Sequence, residues 1–156
     1  MKHLLLDIDG VFNPFLCPNL TERGFILYQS GWITWSIDLI NHASWLRNVE
    51  NDVNIVWVSS WLEDSNHLSA MFGLYNALLP HVELSRTGKG DTWKLDSVKE
   101  WVKNNTSPED TIVWIDDEVY SDAFEWADRN NNILIIKTDP AVGLTEDEWQ
   151  RMLDYR

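Results

Sequence analysis

Short apolar segments that alternate with helical segments constrain the fold of this chain more than any other feature of its sequence. These segments have the length of strands and are almost continuously apolar, which is typical of strands that helices cover on both faces. They are Leu4–Ile8, Ile55–Ser59, Thr111–Ile115 and Ile133–Lys137, and His81–Leu84 is a candidate for a further short strand. Strands that alternate with helices predict an α/β fold with a parallel sheet between two layers of helices.

The helical segments carry apolar residues three or four positions apart, which places those residues on one face of a helix. The first two predicted helices are Trp35–Val49, with Leu39, Ala43 and Leu46 on its apolar face, and Glu63–Phe72. A third helix is predicted to be capped by Asp91 or Thr92 and to bury Leu95, Val98 and Val102. A fourth helix has Val119, Ala123 and Ala127 on its apolar face, and a last helix follows it. Thr145 and Glu148 begin that last helix with the Thr-x-x-Glu pattern of a capping box.

Composition restricts the class of protein. A chain of 156 residues is long enough for a substantial core, so residues 1–156 are expected to form a single domain. The apolar content of 44% and the ten tryptophans exclude intrinsic disorder. Neither a membrane-spanning segment nor a signal peptide is expected, because the apolar stretch in MKHLLLDIDG is short and ends in acidic residues. Cys17 is the only cysteine, so an internal disulfide is impossible and a reducing cytoplasm is expected.

The formal net charge of −13 restricts the partners of the protein. This charge repels anionic membranes and long polyanions, so neither membrane association nor strong non-specific binding of nucleic acid is expected. A local basic patch remains compatible with the overall charge.

Polar side chains follow three of the predicted strands. At the end of Leu4–Ile8 they are Asp7 and Asp9, and at the end of Ile55–Ser59 they are Ser59, Ser60 and Trp61. After Thr111–Ile115 they are Asp116 and Asp117. Ligands of parallel α/β sheets bind beyond the carboxyl ends of the strands, where these residues are expected to gather. Residues i and i+2 of a strand point the same way, so Asp7 and Asp9 would repel each other. A metal ion or a shared chemical task would explain the pair.

Four stretches of the sequence resemble, in the same order, the motifs of the haloacid dehalogenase (HAD) superfamily. These stretches are DIDGV (7–11), VWVSSW (56–61), TWK (92–94) and WIDDE (114–118). VWVSSW, TWK and WIDDE, together with Gly73-Leu74 and TDPAVGLT (138–145), are similar to the HAD-type domain of Swiss Army Knife RNA repair proteins. The resemblance implies a three-layer, Rossmann-like fold. With the strand pattern it predicts a central, mainly parallel five-stranded sheet, and the short gaps between the motifs predict little or no cap domain.

The acidic residues of these stretches suit a phosphoryl-transfer site. Asp7 is expected to be the nucleophile that forms an aspartyl-phosphate, and Asp9 the general acid and base. The ligands of Mg²⁺ are expected among Asp7, Asp9, Asp116 and Asp117, with a backbone carbonyl near Asp9 contributing. A hard cation between these carboxylates would relieve their repulsion.

Other residues are expected to bind the phosphoryl group. Lys94 would neutralise charge on the phosphoryl group and on the nucleophile. Ser59, with nearby backbone N–H groups, would hold the phosphoryl oxygens, and Ser60 and Gly10 are further candidates for substrate binding.

Each of these motifs also has a structural interpretation when it is taken alone. Asp-x-Asp-Gly can form an ordinary turn, Lys94 can be a solvated helix lysine, and Asp116 with Asp117 can cap the following helix. Their occurrence together, in order and at one edge of the sheet favours a catalytic site. Arg86 and Lys89 stay open as alternatives for the lysine role or as substrate contacts.

Trp61 and Trp93 both flank motif residues. Either indole could stack on a base or ring of a substrate. Packing at the rim of the site is the favoured interpretation for both.

The resemblance implies hydrolysis of phosphate esters, because phosphatases of the superfamily have a carboxylate at the position of Asp9 and its dehalogenases do not. Residues 13–31 leave room only for a small flap, since the segment from Trp32 is predicted to be helical. The site is therefore expected to be open, or covered by a partner. An open site suits large substrates, whereas the charge of −13 disfavours prolonged contact with a polyanion.

We therefore predict a cytoplasmic, Mg²⁺-dependent phosphomonoesterase that acts on nucleotides or phosphorylated nucleic-acid ends. Two other functions stay open, namely a HAD phosphatase of small metabolites or phosphoproteins and a non-catalytic HAD-fold binding module. The presence of Asp7, Asp9, Lys94 and the acidic pair disfavours the binding module.

Overall fold

The structure is a computed structural model. Among the residues that it describes, four parallel strands form the central sheet. The described residues are 1–15, 19–30, 33–88 and 90–156, so Cys17 and Lys89 lie outside them. The strands in chain order are β1 (Lys2–Leu6), β2 (Ile26–Ser30), β3 (Ile33–Ile37), β4 (Val53–Trp57), β5 (Thr111–Asp116) and β6 (Ile133–Lys137). The central sheet has the order β4–β1–β5–β6, and β2 pairs with β3 in a separate antiparallel pair. The predicted α/β fold with a mainly parallel sheet is confirmed.

Five α-helices of the described residues cover the two faces of this sheet. They are α1 (Asn41–Val49), α2 (Asn66–Met71), α3 (Leu95–Asn105), α4 (Ser121–Asp128) and α5 (Glu146–Asp154). Side chains alternate along β1, so Leu4 and Leu6 pack in one apolar core with residues of α1, α2 and α5, while Leu5 packs in a second core with residues of α3 and α4. The three predicted layers are thus present. None of the described helices is both long and apolar enough to cross a membrane.

The central sheet has one strand fewer than predicted within the described residues. His81 makes only an isolated parallel bridge to Trp57, supported by hydrogen bonds from the Trp57 N–H to the Pro80 carbonyl (2.9 Å) and from the Val82 N–H to the Trp57 carbonyl (2.8 Å). Because β4 ends at Trp57, the predicted strand His81–Leu84 has no partner along the rest of its length. The prediction of a five-stranded sheet is therefore wrong, because His81–Leu84 does not form its fifth strand.

The helix predicted over Trp35–Val49 begins only at Asn41. Its first part is strand β3, in which Trp35 lies opposite Tyr28 of β2. The Asp38 carboxylate accepts hydrogen bonds from the N–H groups of Ile40 (2.9 Å) and Asn41 (2.8 Å), and this marks the start of the helix. The β-branched and aromatic residues before Asp38 favour a strand, so helical spacing alone misassigned them.

Strands β1 and β4 each lie two residues before their predicted positions, Leu4–Ile8 and Ile55–Ser59. Ile8 and Val58 are fully buried although they follow the strand ends. Because these residues are apolar, the sequence pattern predicted that the strands extend into the loops that carry the motifs.

The start of α3 is held by contacts to α4 rather than by the predicted cap. Lys94 precedes the helix, and the side chains of Asp91 and Thr92 do not cap it. Thr92 instead donates from its Oγ1 to Asp122 (2.6 Å) and accepts from the N–H of Tyr120 (2.8 Å). The capping box of Thr145 and Glu148 at the start of α5 is confirmed.

Candidate active site

Asp7, Lys94 and Asp116 form a buried group at the carboxyl ends of β1 and β5. Asp7 follows β1, and its N–H donates to the carbonyl of Ile115 (3.0 Å), which holds the two strand ends together. The Lys94 ammonium donates to Asp7 Oδ2 at 2.5 Å and to Asp116 Oδ2 at 2.8 Å. The three side chains are at most 6% exposed. The structure thus brings these predicted site residues into direct contact.

Further hydrogen bonds fix the two carboxylates. Asp7 Oδ1 accepts from the N–H of Ile8 at 2.7 Å. Asp116 Oδ1 accepts from the N–H of Glu118 at 2.9 Å, and its Oδ2 accepts from Trp114 Nε1 at 3.2 Å. Buried charges need such partners, and these partners leave the carboxylates little freedom to rotate.

Burial and neighbouring charges change the ionisation of the group. Burial would lower the pKa of Lys94, but the Asp7 and Asp116 carboxylates outweigh this effect and raise its pKa above the usual value. Burial and the charge of Asp116 raise the pKa of Asp7, although Lys94 acts in the opposite direction. Burial and Asp116 also raise the pKa of Asp117, to about 6. The raised pKa values of Asp7 and Asp117 show that further negative charge is disfavoured at this group, so a cation bound between the carboxylates would favour their ionised forms.

Asp7, Asp116 and Asp117 fit the predicted Mg²⁺ ion. Each offers one carboxylate oxygen, and these oxygens lie within 4.8 Å of one another. Carboxylate oxygens are the ligands that Mg²⁺ prefers. When all are ionised, the three carboxylates and the Lys94 ammonium carry a formal charge of minus two, which one divalent cation would balance. The Asp9 carboxylate is not part of this group.

Gly10 allows the turn after β1 to lie against Asp117. Its φ of 74° is a conformation that residues with a Cβ rarely adopt. A Cβ at this position would lie 2.3 Å from Asp117 Cγ. The Gly10 carbonyl also accepts a hydrogen bond from Thr138 Oγ1, which follows β6 (2.9 Å). Gly10 therefore places Asp117, and its predicted contact with substrate stays a prediction.

Asp9 lies in a turn, not in a strand. Strand β1 ends at Leu6, and the Ile8 carbonyl accepts a hydrogen bond from the N–H of Asn13 at 3.0 Å. The expectation that Asp7 and Asp9 share one face of a strand is therefore wrong. The turn gives the two carboxylates separate surroundings, as two different chemical roles require.

Two neutral donors hold the Asp9 carboxylate. Asn13 Nδ2 donates to Oδ1 at 2.8 Å, and Trp61 Nε1 donates to Oδ2 at 2.9 Å. The Asn13 amide oxygen in turn accepts from the N–H of Ser36 in β3 (2.8 Å). Sequence reasoning noted Trp61 only as a neighbour of a motif, and it missed Asn13. The one available signal for Asn13 was a polar residue between apolar ones, four positions after Asp9.

The two predicted serines lie at different depths. Ser60 is exposed in the wall of the cavity beside Asp7. Ser59 is buried, and its Oγ accepts a long hydrogen bond from the N–H of Trp61 (3.4 Å). Their roles in holding phosphoryl oxygens stay predictions.

A cavity of about 560 Å³, here called the active-site cavity, lies over the buried group. Its walls include Asp7, Asp9, Ser60, Arg86, Lys94 and Asp117. This volume is within the range of small-molecule sites. The same cavity is thus bordered by the predicted nucleophile Asp7, the predicted acid Asp9, and Ser60 and Lys94, which are predicted to bind the phosphoryl group.

Arg86 adds a second cation to this cavity. Its guanidinium lies 5.0 Å from the centre of the Trp93 ring, and Trp93 Nε1 donates to Glu118 (2.8 Å). Arg86 and Lys89 were alternatives to Lys94 as the cation that neutralises charge on the nucleophile. Lys94 contacts both Asp7 and Asp116, and this geometry matches that role. Lys89 lies outside the described residues.

A comparison with protein families shows the affiliation of the chain. The family described as the HAD domain in Swiss Army Knife RNA repair proteins matches residues 3–149. The chain belongs to this family. Searches of curated proteins and of solved structures found no match. The match spans all four motifs, and membership supports a hydrolase of the HAD type.

Proposed function

We propose that this HAD domain is a Mg²⁺-dependent phosphomonoesterase that acts through an aspartyl-phosphate. The observation that carries the proposal is the position of the Asp7 carboxylate. It borders the active-site cavity, contacts the Lys94 ammonium and lies within reach of Asp116 and Asp117. A nucleophilic carboxylate needs nearby positive charge that approaching phosphoryl oxygens can share.

The proposed reaction has two steps. An Asp7 oxygen attacks phosphorus, the bond from phosphorus to the leaving oxygen breaks, and that oxygen takes a proton from Asp9. A water molecule then attacks the phosphorus of the aspartyl-phosphate and gives a proton to Asp9. This step breaks the bond between phosphorus and Asp7, releases inorganic phosphate and restores both carboxyl groups to their starting forms.

The chain supplies two cationic side chains to the cavity. Lys94 is fixed between Asp7 and Asp116, whereas Arg86 stacks on Trp93 and is free of any ion pair among the described residues. Arg86 can therefore meet the phosphoryl oxygens as an unpaired cation. Mg²⁺ bound at the three carboxylates would supply further polarisation of the phosphoryl group.

The substrates that we propose are nucleotides and phosphorylated nucleic-acid ends. The RNA repair context of the family supports this class. The high negative charge of the chain suits a substrate that presents a terminal phosphate rather than a long polyanion. The β2–β3 pair would act as a small flap. Only β2 lies within residues 13–31, where the flap was expected, and β3 follows them. A partner protein would be a further lid. The single cysteine supports a reducing compartment such as the cytoplasm.

Hydrolysis of p-nitrophenyl phosphate by purified protein with Mg²⁺ tests the reaction. We expect Asp7→Asn to abolish this activity, because the amide cannot act as the nucleophile. Asp52→Asn, a matched change at an exposed residue, should retain it. Equal rates for Asp7→Asn and the unchanged chain would contradict the proposal and would favour a binding module, with any hydrolysis due to a contaminating phosphatase.

A substrate screen tests the substrate class. It should include nucleotides, oligonucleotides with 3′- or 5′-phosphates, sugar phosphates and a phosphopeptide. Hydrolysis confined to sugar phosphates or to the phosphopeptide would remove the nucleotide assignment and retain the phosphatase.

A further inference from the structure

A second cavity of about 480 Å³ adjoins the active-site cavity, and Asp9 borders both. We call it the aromatic cavity. Its walls include Asn13, Thr34, Trp35, Trp61, Asp64 and His67, so both β3 and the segment after β4 contribute to it. Its volume suits a small organic group.

The hydrogen bonds of Asp9 connect the two cavities. Both donors to its carboxylate, Asn13 and Trp61, themselves border the aromatic cavity. A general acid must lie within hydrogen-bond distance of the leaving oxygen that it protonates. A phosphoryl group at Asp7 with its leaving oxygen at Asp9 therefore directs the rest of the substrate towards the aromatic cavity.

The rings in this region form a connected series. The centres of the Trp35 and Trp61 rings are 4.5 Å apart, and Tyr28 stacks on Trp35 with a centre distance of 5.4 Å. Trp35 and Trp61 are half-buried, so part of each indole remains available to a ligand. Aromatic side chains of this kind are good partners for a planar ring.

The charges of the aromatic cavity are mainly negative. Asp9 and Asp64 contribute carboxylates, and His67 contributes the one group that can become cationic among the described residues of its wall. A second phosphate group in this space would meet like charge. The active-site cavity also has carboxylates in its wall, but it contains the cationic side chains of Lys94 and Arg86 in addition.

We propose that the aromatic cavity is the subsite for the leaving group and accepts an uncharged alcohol with a planar ring, such as the nucleoside of a mononucleotide. The proposal rests on the phosphatase function proposed above. It goes further by assigning substrate preference to Trp35 and Trp61. Within the proposed substrates it favours mononucleotides over nucleic-acid ends, because the leaving group of a nucleic-acid end carries further phosphates.

The test compares two substrates that differ by the base, adenosine 5′-monophosphate and ribose 5-phosphate. Trp35→Ala should lower kcat/KM for the nucleotide by on the order of ten- to a hundredfold, as expected for a lost aromatic contact with a base. The value for ribose 5-phosphate should change little. Trp45→Ala is the matched control, because Trp45 is a half-buried tryptophan stacked on Trp149, away from both cavities, and it should leave the ratio of the two values unchanged.

A second measurement needs no variant. Adenosine, which lacks the phosphate, should inhibit hydrolysis of p-nitrophenyl phosphate by the unchanged chain, and ribose at the same concentration should not. The proposed subsite would be overturned if adenosine did not inhibit, or if adenosine and ribose inhibited equally. It would also be overturned if Trp35→Ala lowered kcat/KM equally for adenosine 5′-monophosphate and ribose 5-phosphate. Failure to hydrolyse any phosphate monoester would instead overturn the proposed function.

Discussion

The side chain of Trp61 shows how one residue can control the chemistry of another. Its Nε1–H donates to Asp9 Oδ2, and Asn13 holds the other oxygen, so both oxygens of the proposed acid are oriented. A proton donor works only when it lies in line with the oxygen that receives the proton. Trp61 is therefore a positioning residue in our proposal.

Trp61→Phe should impair substrates according to their leaving group. The variant keeps an aromatic ring but loses the hydrogen bond to Asp9. We expect kcat/KM for an alkyl phosphate to fall on the order of tenfold or more, because its alkoxide needs the proton. The value for p-nitrophenyl phosphate should fall much less, since its phenolate leaves without full protonation.

The measurement is the ratio of the two kcat/KM values. Trp126→Phe, in α4, is the control for removing an indole N–H elsewhere and should leave this ratio unchanged. The same loss for both substrates in Trp61→Phe would mean that the residue supports the structure of the site and does not orient the acid.

His42 is a second residue whose surroundings predict a measurable effect. It lies buried in α1, and its Nε2–H donates to the Leu144 carbonyl (2.9 Å). Burial lowers the pKa of His42 below its ordinary value of 6.5, although the hydrogen bond to Leu144 and the charge of Asp38 act in the opposite direction. The unfolded chain thus binds a proton at this residue more readily than the folded chain does.

The contribution of His42 to the free energy of unfolding should therefore decrease as the pH falls below 6.5. Since the folded-state pKa is lowered, the stability is present above the unfolded value and is lost towards acid, by at most about 1.4 kcal/mol per pH unit from this group. Urea titrations of the unchanged chain and of His42→Gln at several pH values measure the effect. Identical pH slopes for the two proteins would contradict it.

At the scale of elements, local sequence patterns predicted β5, β6 and the last three helices well. Thr111–Ile115 and Ile133–Lys137 match β5 and β6 within one residue, because both are apolar segments between polar turns. The patterns failed where a buried apolar residue follows a strand, as at Ile8, and where helical spacing extended into β3. At Ile8 tertiary burial, which a local pattern does not show, explains the apolar residue beyond the strand. In β3 the preference of β-branched and aromatic residues for strands outweighed the helical spacing.

The capping box of α5 allows a quantitative test at this scale. Thr145 accepts from the N–H of Glu148, whose carboxylate in turn accepts from the N–H of Thr145. Thr145→Ala should lower the free energy of unfolding by about 1 kcal/mol, the usual effect of losing such a cap. Thermal unfolding measures it, and Thr145→Ser, which keeps the hydroxyl, should lose much less. Equal losses for Ala and Ser would show that the methyl group of Thr145 matters and the cap does not.

At the scale of the whole molecule, the site joins distant parts of the chain. Lys94 and Asp7 are 87 positions apart, and Trp61 and Asp9 are 52 apart. The sheet order β4–β1–β5–β6 brings these segments together because the carboxyl ends of parallel strands share one edge. The excess negative charge of the site is thus a property of the assembled fold.

This charge predicts that Mg²⁺ stabilises the folded protein. A ligand that binds only the folded state raises its apparent stability, by about 2.7 kcal/mol at a hundredfold excess over Kd. We expect Mg²⁺ to raise Tm and a chelator to reverse the change. Asp117→Asn should reduce the shift, and Asp52→Asn should not. A shift of the same size in Asp117→Asn would place the bound cation elsewhere.

The sequence by itself determined the class of fold, the family and most of the residues that meet at the carboxyl ends of the strands. Apolar segments and ordered motifs are local features, and the rule that ligands bind beyond parallel strand ends converts them into a site. Only the tertiary structure decided which of those residues contact one another. It grouped Asp7 with Lys94 and Asp116, and it placed Asp9 between two neutral donors beside an aromatic cavity. Contacts between residues far apart in the chain depend on packing and burial, which no local pattern of side chains specifies.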